Sequence, residues 1–186
     1  MFDLEQKYAR IGAVDITTDT LKIEGYASLF GRADQGHDIV EPGAYAASLA
    51  RLKSEGRRVK MLWQHDPAQP IGIWDTVRED DRGLYVAGRL LPDVPRAAEA
   101  AALIKAGAMD GLSIGYRTIR ASRDDKGHRR LKELDLWEVS LVTFPMLPDA
   151  RVGSKAAPPF EDVLRDVAQA LTQAGATLVH MPARTP

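Results

Sequence analysis

Cysteine is absent from all 186 residues. Its absence excludes a disulfide scaffold, a thiolate nucleophile, an iron–sulfur cluster and a Cys-ligated zinc site. Net charge is nearly absent too, since 25 Lys and Arg stand against 26 Asp and Glu and leave −1. That balance argues against nucleic acid or an anionic membrane as the main partner. No stretch approaches the ~18 consecutive apolar residues of a membrane span. The N-terminal residues carry Asp3, Glu5, Lys7 and Arg10 with no apolar run, so a cytoplasmic protein without a signal peptide is expected. There is no internal repeat. The histidines (His37, His65, His128 and His180) do not fall at metal-ligand spacing, so neither metal nor cofactor is expected.

What is present reads as one soluble domain with a tail. From about Arg10 to Phe144 the chain is mainly strand-like. Apolar and β-branched runs cover Ile11–Thr17, Leu21–Phe30, Val59–Trp63, Ile71–Val77, Gly83–Leu91, Leu112–Ala121 and Leu131–Phe144. Turn signals separate them, notably Asp80-Asp81-Arg82-Gly83 and Asp124-Asp125-Lys126-Gly127. Trp137, Val139 and Leu141 form an apolar half of the last run and are expected to be buried. Gly31–Gly43 reads as a polar loop. Two helices are inserted: Ala44–Ser54, stopped by Gly56, and Pro95–Ala106, with Asp93 as N-cap and Gly107 as stop. The fold class is therefore mainly β with inserted helices (α+β), as a seven-stranded closed or nearly closed barrel.

The composition shifts after Pro145. Pro148–Pro159 reads as a linker, and Phe160–Ala174 repeats apolar residues on one helical face. Docking on the barrel and contact with a partner both fit that helix. Gly175–Pro186 reads as a frayed end. The expected division is residues 1–152 for the barrel and 153–186 for linker, helix and tail.

Three residues could carry chemistry. Ser113 lies in Gly111-Leu112-Ser113-Ile114-Gly115, which fits the G-x-S-x-G pattern. A nucleophile elbow needs a strand before the serine and a helix after it. Here a helix precedes and a strand follows, so an α/β-hydrolase is rejected, and a tight backbone feature remains the plain alternative. His65 lies where an apolar strand gives way to a turn, a place suited to a base; capping of that turn is the plain alternative. Glu138 sits inside the apolar run Leu136–Leu141, where a carboxylate is costly unless paired. It can face solvent, satisfy a buried partner or orient a histidine. His128, Glu133 and Asp135 are rivals for that last role. Joined, these signals supply a nucleophile, a base and an acid on three strands of one domain.

At these residues the sequence resembles the prohead, or capsid maturation, protease family of tailed bacteriophages of the Hong Kong 97 type. Four stretches carry the likeness over roughly residues 20–152. They are Glu24–Phe30 with Asp38 and Glu41–Tyr45; Leu62–Asp66 with Pro70-Ile71-Gly72; Gly111–Tyr116; and Glu138–Thr143 with Pro145. One departure is Pro145-Met146-Leu147-Pro148, where the family usually has Pro-Ala-Asn. The resemblance implies a serine endopeptidase with a fold similar to the herpesvirus assemblins, a barrel surrounded by helices. By the family pattern Ser113 falls on the nucleophile, His65 on the general base and Glu138 on the orienting acid.

The implied task is to cut the N-terminal scaffolding segment from the major capsid protein, a scaffold protein, or both, inside the immature capsid in the host cytoplasm. Self-cleavage in the linker is also implied, and a homodimer or higher oligomer is compatible with the family. Two other readings stay open. One is a capsid assembly or scaffolding factor that keeps the fold with little activity. The other is a β-barrel binding module in which the three residues need not converge.

Overall fold

The computed structural model describes residues 5–10, 16–17 and 20–144, with side chains described from Leu21 to Phe144. The chain divides into two compact units, Met1–Gly153 and Ser154–Pro186, and the described residues belong to the first. The expected linker over 148–159, helix over 160–174 and tail lie outside them. So do Pro145–Pro148 and most of the strand expected over Ile11–Thr17.

In chain order the elements are β1 (Glu5–Arg10), β2 (Ile16–Thr17), β3 (Thr20–Leu29), β4 (Asp38–Val40), α1 (Ala46–Ser54), β5 (Lys60–Trp63), β6 (Asp66–Glu79), β7 (Gly83–Leu90), α2 (Pro95–Lys105), β8 (Gly111–Arg123) and β9 (Arg129–Val142). One sheet holds the strands in the order β1-β8-β9-β5-β6-β7-β3-β2, with β4 attached to β9 beside this path. This corrects the expectation of a seven-stranded closed or nearly closed barrel. The sheet has nine strands, and among the described residues no ladder joins β1 at one end to β2 or β3 at the other. It curls as a half-barrel. Register shifts bend it at Tyr26/Ser28, Trp74/Thr76 and Gly115/Tyr116, as bulges do.

The two uncounted strands have weak sequence signals. β1 is Glu-Gln-Lys-Tyr-Ala-Arg, mostly polar, as suits a sheet edge. β4 has three residues and sits within the stretch read as a polar loop.

β9 organises the molecule. One of its edges pairs with β8 along nearly its whole length. The other edge is shared by two parallel partners, β4 at Arg129–Leu131 and β5 at Glu138–Leu141. Between them β9 would have unmet amides, which are costly when buried. The approach to α1 fills that gap. Leu134 N–H donates to the Ala44 carbonyl at 2.8 Å, and Leu136 N–H donates to Ser48 Oγ at 2.9 Å. Ser48 is buried on α1 for this reason.

Both helices stop where glycine predicts. Gly56 and Gly107 have φ of 63° and 70°. The amides of Arg57 and Ala108 reach back to the carbonyls of Leu52 and Leu103 at 2.8 Å, a Schellman closure in each case. At the start of α2 the N-cap is Val94, not Asp93, with Pro95 next. Trp137 is a further correction. It is 42% exposed, because the ladder pairs Glu138 with Gly115 and Leu136 with Tyr116 and leaves Trp137 as the bulged residue between them. Val139 and Leu141 are buried as expected.

Candidate active site

The site lies on the face of β8, β9 and β5 opposite the main core. In the β8–β9 ladder Ser113 stands directly across from Ser140, and Gly115 across from Glu138. Opposed residues share a face, and residues two apart on a strand share it too. Ser113, Ser140 and Glu138 therefore project to one side. The alternate residues Leu112, Ile114, Val139 and Leu141 project to the other and belong to the hydrophobic core. On that core side the Trp74 indole N–H donates to the Val139 carbonyl at 3.1 Å, which ties β6 to β9 below the site.

His65 arrives from β5. Trp63 pairs with Asp66, so Gln64 and His65 form a two-residue turn between β5 and β6. Both have positive φ, 50° and 62°. Such turns need this conformation at both central positions and usually place Asn or Gly there. Holding two larger side chains in it costs on the order of 1 kcal/mol or more each. β9 supplies the restraint. Gln64 N–H donates to the Leu141 carbonyl at 2.9 Å, and Gln64 Nε2 donates to Thr143 Oγ1 at 2.6 Å. His65 N–H donates to Ser140 Oγ at 3.1 Å.

The imidazole is then delivered to the carboxylate, with His65 Nδ1 2.6 Å from Glu138 Oε1. The two side chains are 6% and 5% exposed. An ionised carboxylate only accepts, so Nδ1 carries the hydrogen and Nε2 is the basic nitrogen. Glu138 Oε2 accepts from Ser140 Oγ at 2.6 Å. The buried carboxylate is thus paired on both oxygens, the condition its burial demands.

The three sequence-predicted residues are therefore brought to one place by two routes. His65 and Glu138 are in direct contact. Ser113 is set beside them by strand register, one strand away from Ser140, with opposed Cβ atoms about 5 Å apart in such pairs. Ser113 is fully buried. The rivals of Glu138 are engaged elsewhere. His128 Nδ1 faces Asp124 Oδ2 at 3.0 Å in the hairpin tip. Glu133 Oε2 is 3.6 Å from Arg120 Nε. Asp135 accepts from Arg51, and from Arg117 at 3.3 Å. Asp66 caps its own turn by accepting from Ala68 N–H at 2.9 Å.

Gly115 has a specific reason. A Cβ there would lie 2.1 Å from Glu138 Oε1, so the absent side chain is the seat of the carboxylate. The second glycine of the G-x-S-x-G pattern serves the acid and not an elbow. Sequence reasoning gave no role to Ser140, Gln64 or Thr143. The spacing Glu138-x-Ser140 on a strand was the available signal, because it puts both groups on one face.

Comparison with known proteins places the chain in a family. A profile of the caudovirus prohead serine proteases matches residues 8–162. The prohead protease of Enterobacteria phage HK97 is 35% identical over 150 residues, covering 77% of this chain and 64% of that protein. The prohead protease of Escherichia phage T5 is 29% identical over 131 residues, covering 70% of this chain and 60% of that protein. The match thus spans less than two thirds of either relative's length. Among solved structures, the bacteriophage T4 capsid assembly protease aligns with a TM-score of 0.63 at 17% identity, covering 77% of this chain and 98% of that one, a likeness of fold.

Proposed function

The chain belongs to the family of caudovirus prohead serine proteases, and we propose on that premise that it is a serine endopeptidase of capsid maturation. Its substrates are the N-terminal scaffolding segment of the major capsid protein, a scaffold protein, or both, and the chain itself within the 148–159 stretch. It works inside the immature capsid, in the host cytoplasm. Among the described residues no helix is long and apolar enough to cross a membrane.

The observation that carries the reading is the 2.6 Å contact of His65 Nδ1 with Glu138 Oε1, on the strand next to the one bearing Ser113. In the reaction Ser113 Oγ attacks the scissile carbonyl carbon while His65 Nε2 takes the hydroxyl proton. Glu138 holds the imidazole in the right tautomer and stabilises it once charged. His65 then gives the proton to the leaving amine, and an acyl-enzyme remains on Ser113. Water attacks that ester, again with His65 as base, and frees Ser113. Backbone N–H donors to the oxyanion contribute about 3 kcal/mol each in such enzymes.

The test is co-expression with the cognate capsid protein, followed by intact-mass measurement of both chains. Wild type should shorten the capsid protein and itself. Ser113→Ala should leave both masses whole while folding normally. Cleavage by that variant at the wild-type rate would refute the assignment. A scaffolding factor with little activity would leave both masses whole in wild type as well.

A further inference from the structure

We propose that Ser140 is a positioning residue of this site, holding His65 and Glu138 together by both ends of the histidine; this rests on the roles given above to Ser113, His65 and Glu138. Ser140 is fully buried. Its Oγ accepts from His65 N–H at 3.1 Å and donates to Glu138 Oε2 at 2.6 Å. The other carboxylate oxygen takes His65 Nδ1 at 2.6 Å. These three bonds close a ring: His65 backbone, Ser140 hydroxyl, Glu138 carboxylate, His65 imidazole.

The ring does two things that no single bond does. It reserves Oε2 for the hydroxyl, so the imidazole meets Oε1 alone and its tilt is set. It also ties the backbone of a residue held at φ of 62° to the carboxylate that receives its ring. The base and its partner therefore move as one body. Small displacements at a reacting centre are expensive, and a 1 Å error costs about 100-fold in rate.

Ser140 also raises a question of identity, because it stands directly across from Ser113 on the same face. Two serines could compete for the base. The Ser140 proton is directed at Glu138 Oε2, and its oxygen already accepts from His65 N–H. Its hydroxyl is committed, and it serves as a strut, not as a second nucleophile.

The test uses full-length protein and a fluorophosphonate probe, with Ser113→Ala as the reference. Ser140→Ala and Ser140→Cys remove the hydroxyl, the second with nearly unchanged shape, and Ser140→Thr keeps it. The readouts are the limiting rate and half-saturating concentration of Ser113 labelling, the low-field proton resonance of His65 Nδ1–H, and the melting temperature. The Ala and Cys variants should lose about 100-fold in limiting rate. Their half-saturating concentration should change little, as expected when the loss lies in the chemical step. Their His65 resonance should shift, and the Thr variant should stay near wild type in all readouts. Wild-type labelling with an unshifted resonance in the Ala or Cys variant would overturn the proposal. So would equal losses in all three variants that follow their melting temperatures, since the position would then only fill space. If Ser113→Ala labels as wild type does, the underlying assignment fails and the proposal falls with it. That outcome is distinguished by the reference variant alone.

Discussion

Glu138 shows how much one buried carboxylate demands of its neighbours. It needs a donor on each oxygen, room for its own bulk and a strand that will carry it through apolar surroundings. His65 and Ser140 are the donors, and Gly115 is the room. Gly115→Ala should displace the carboxylate, because the added carbon would lie 2.1 Å from Oε1. We expect a destabilisation of about 1–3 kcal/mol, typical of overpacking, and loss of fluorophosphonate labelling. Retention of labelling at the wild-type rate would show that Glu138 can retreat without consequence. At this scale the sequence was informative where a group is chemically conspicuous. A charged residue in an apolar strand and a histidine at a strand end attract notice on their own. Ser140 did not, because a small neutral residue in a strand carries no such signal. Its part emerges only from register, which fixes what it faces.

Elements were legible where their boundaries rest on local chemistry. The glycine stops of α1 and α2 and the aspartate turns depend on residues next to each other in sequence. Asp80 Oδ1 accepts from Arg82 N–H at 2.9 Å and Gly83 N–H at 3.3 Å. Its Oδ2 accepts from the Tyr26 hydroxyl at 2.8 Å and from Arg78 at 2.9 Å. Desolvation pushes the Asp80 carboxyl upward, but these donors outweigh it and hold it below the ordinary carboxylate range. A carboxyl depressed in the folded state stabilises above its unfolded value, near 3.9, and that stability is lost as pH falls through the folded value. Asp80→Asn should therefore flatten the fall of melting temperature below about pH 4. A slope identical to wild type would remove Asp80 from the acid response. Trp137 and β4 were illegible for the opposite reason. A bulge and a three-residue parallel strand are decided by partners far along the chain. Ser48 belongs with them, since it serves an amide on β9 from a helix. Ser48→Ala leaves the Leu136 N–H unmet and should cost about 1–3 kcal/mol. Melting should drop by about 2–4 °C for each kcal/mol, with labelling of Ser113 unchanged in the folded protein.

The described unit is built on one open, curled sheet, where the strand count pointed to a closed or nearly closed barrel. Period-two patterning reports which face of a strand is buried, and a half-barrel satisfies it as well as a closed barrel does. Openness leaves β1 as a sheet end, and β1 pairs directly with the strand that carries Ser113, with Tyr8 opposite Ser113 itself. Deleting residues 1–10 should expose the edge of β8, an invitation to pair with another chain. Size-exclusion chromatography should show self-association, and labelling of Ser113 should fall. A monomer labelled at the wild-type rate would show that β8 needs no cover.

The two-residue turn that carries His65 has a consequence for timing. A base on a long loop could be parked away from the nucleophile and swung in later. His65 has no such slack, because strands lie on both sides of the turn and β9 grips it at Gln64 and His65. Ser113 meanwhile is fully buried. The base is therefore in place as soon as these strands have paired, and no loop swing stands between the folded chain and the contact of His65 with Glu138.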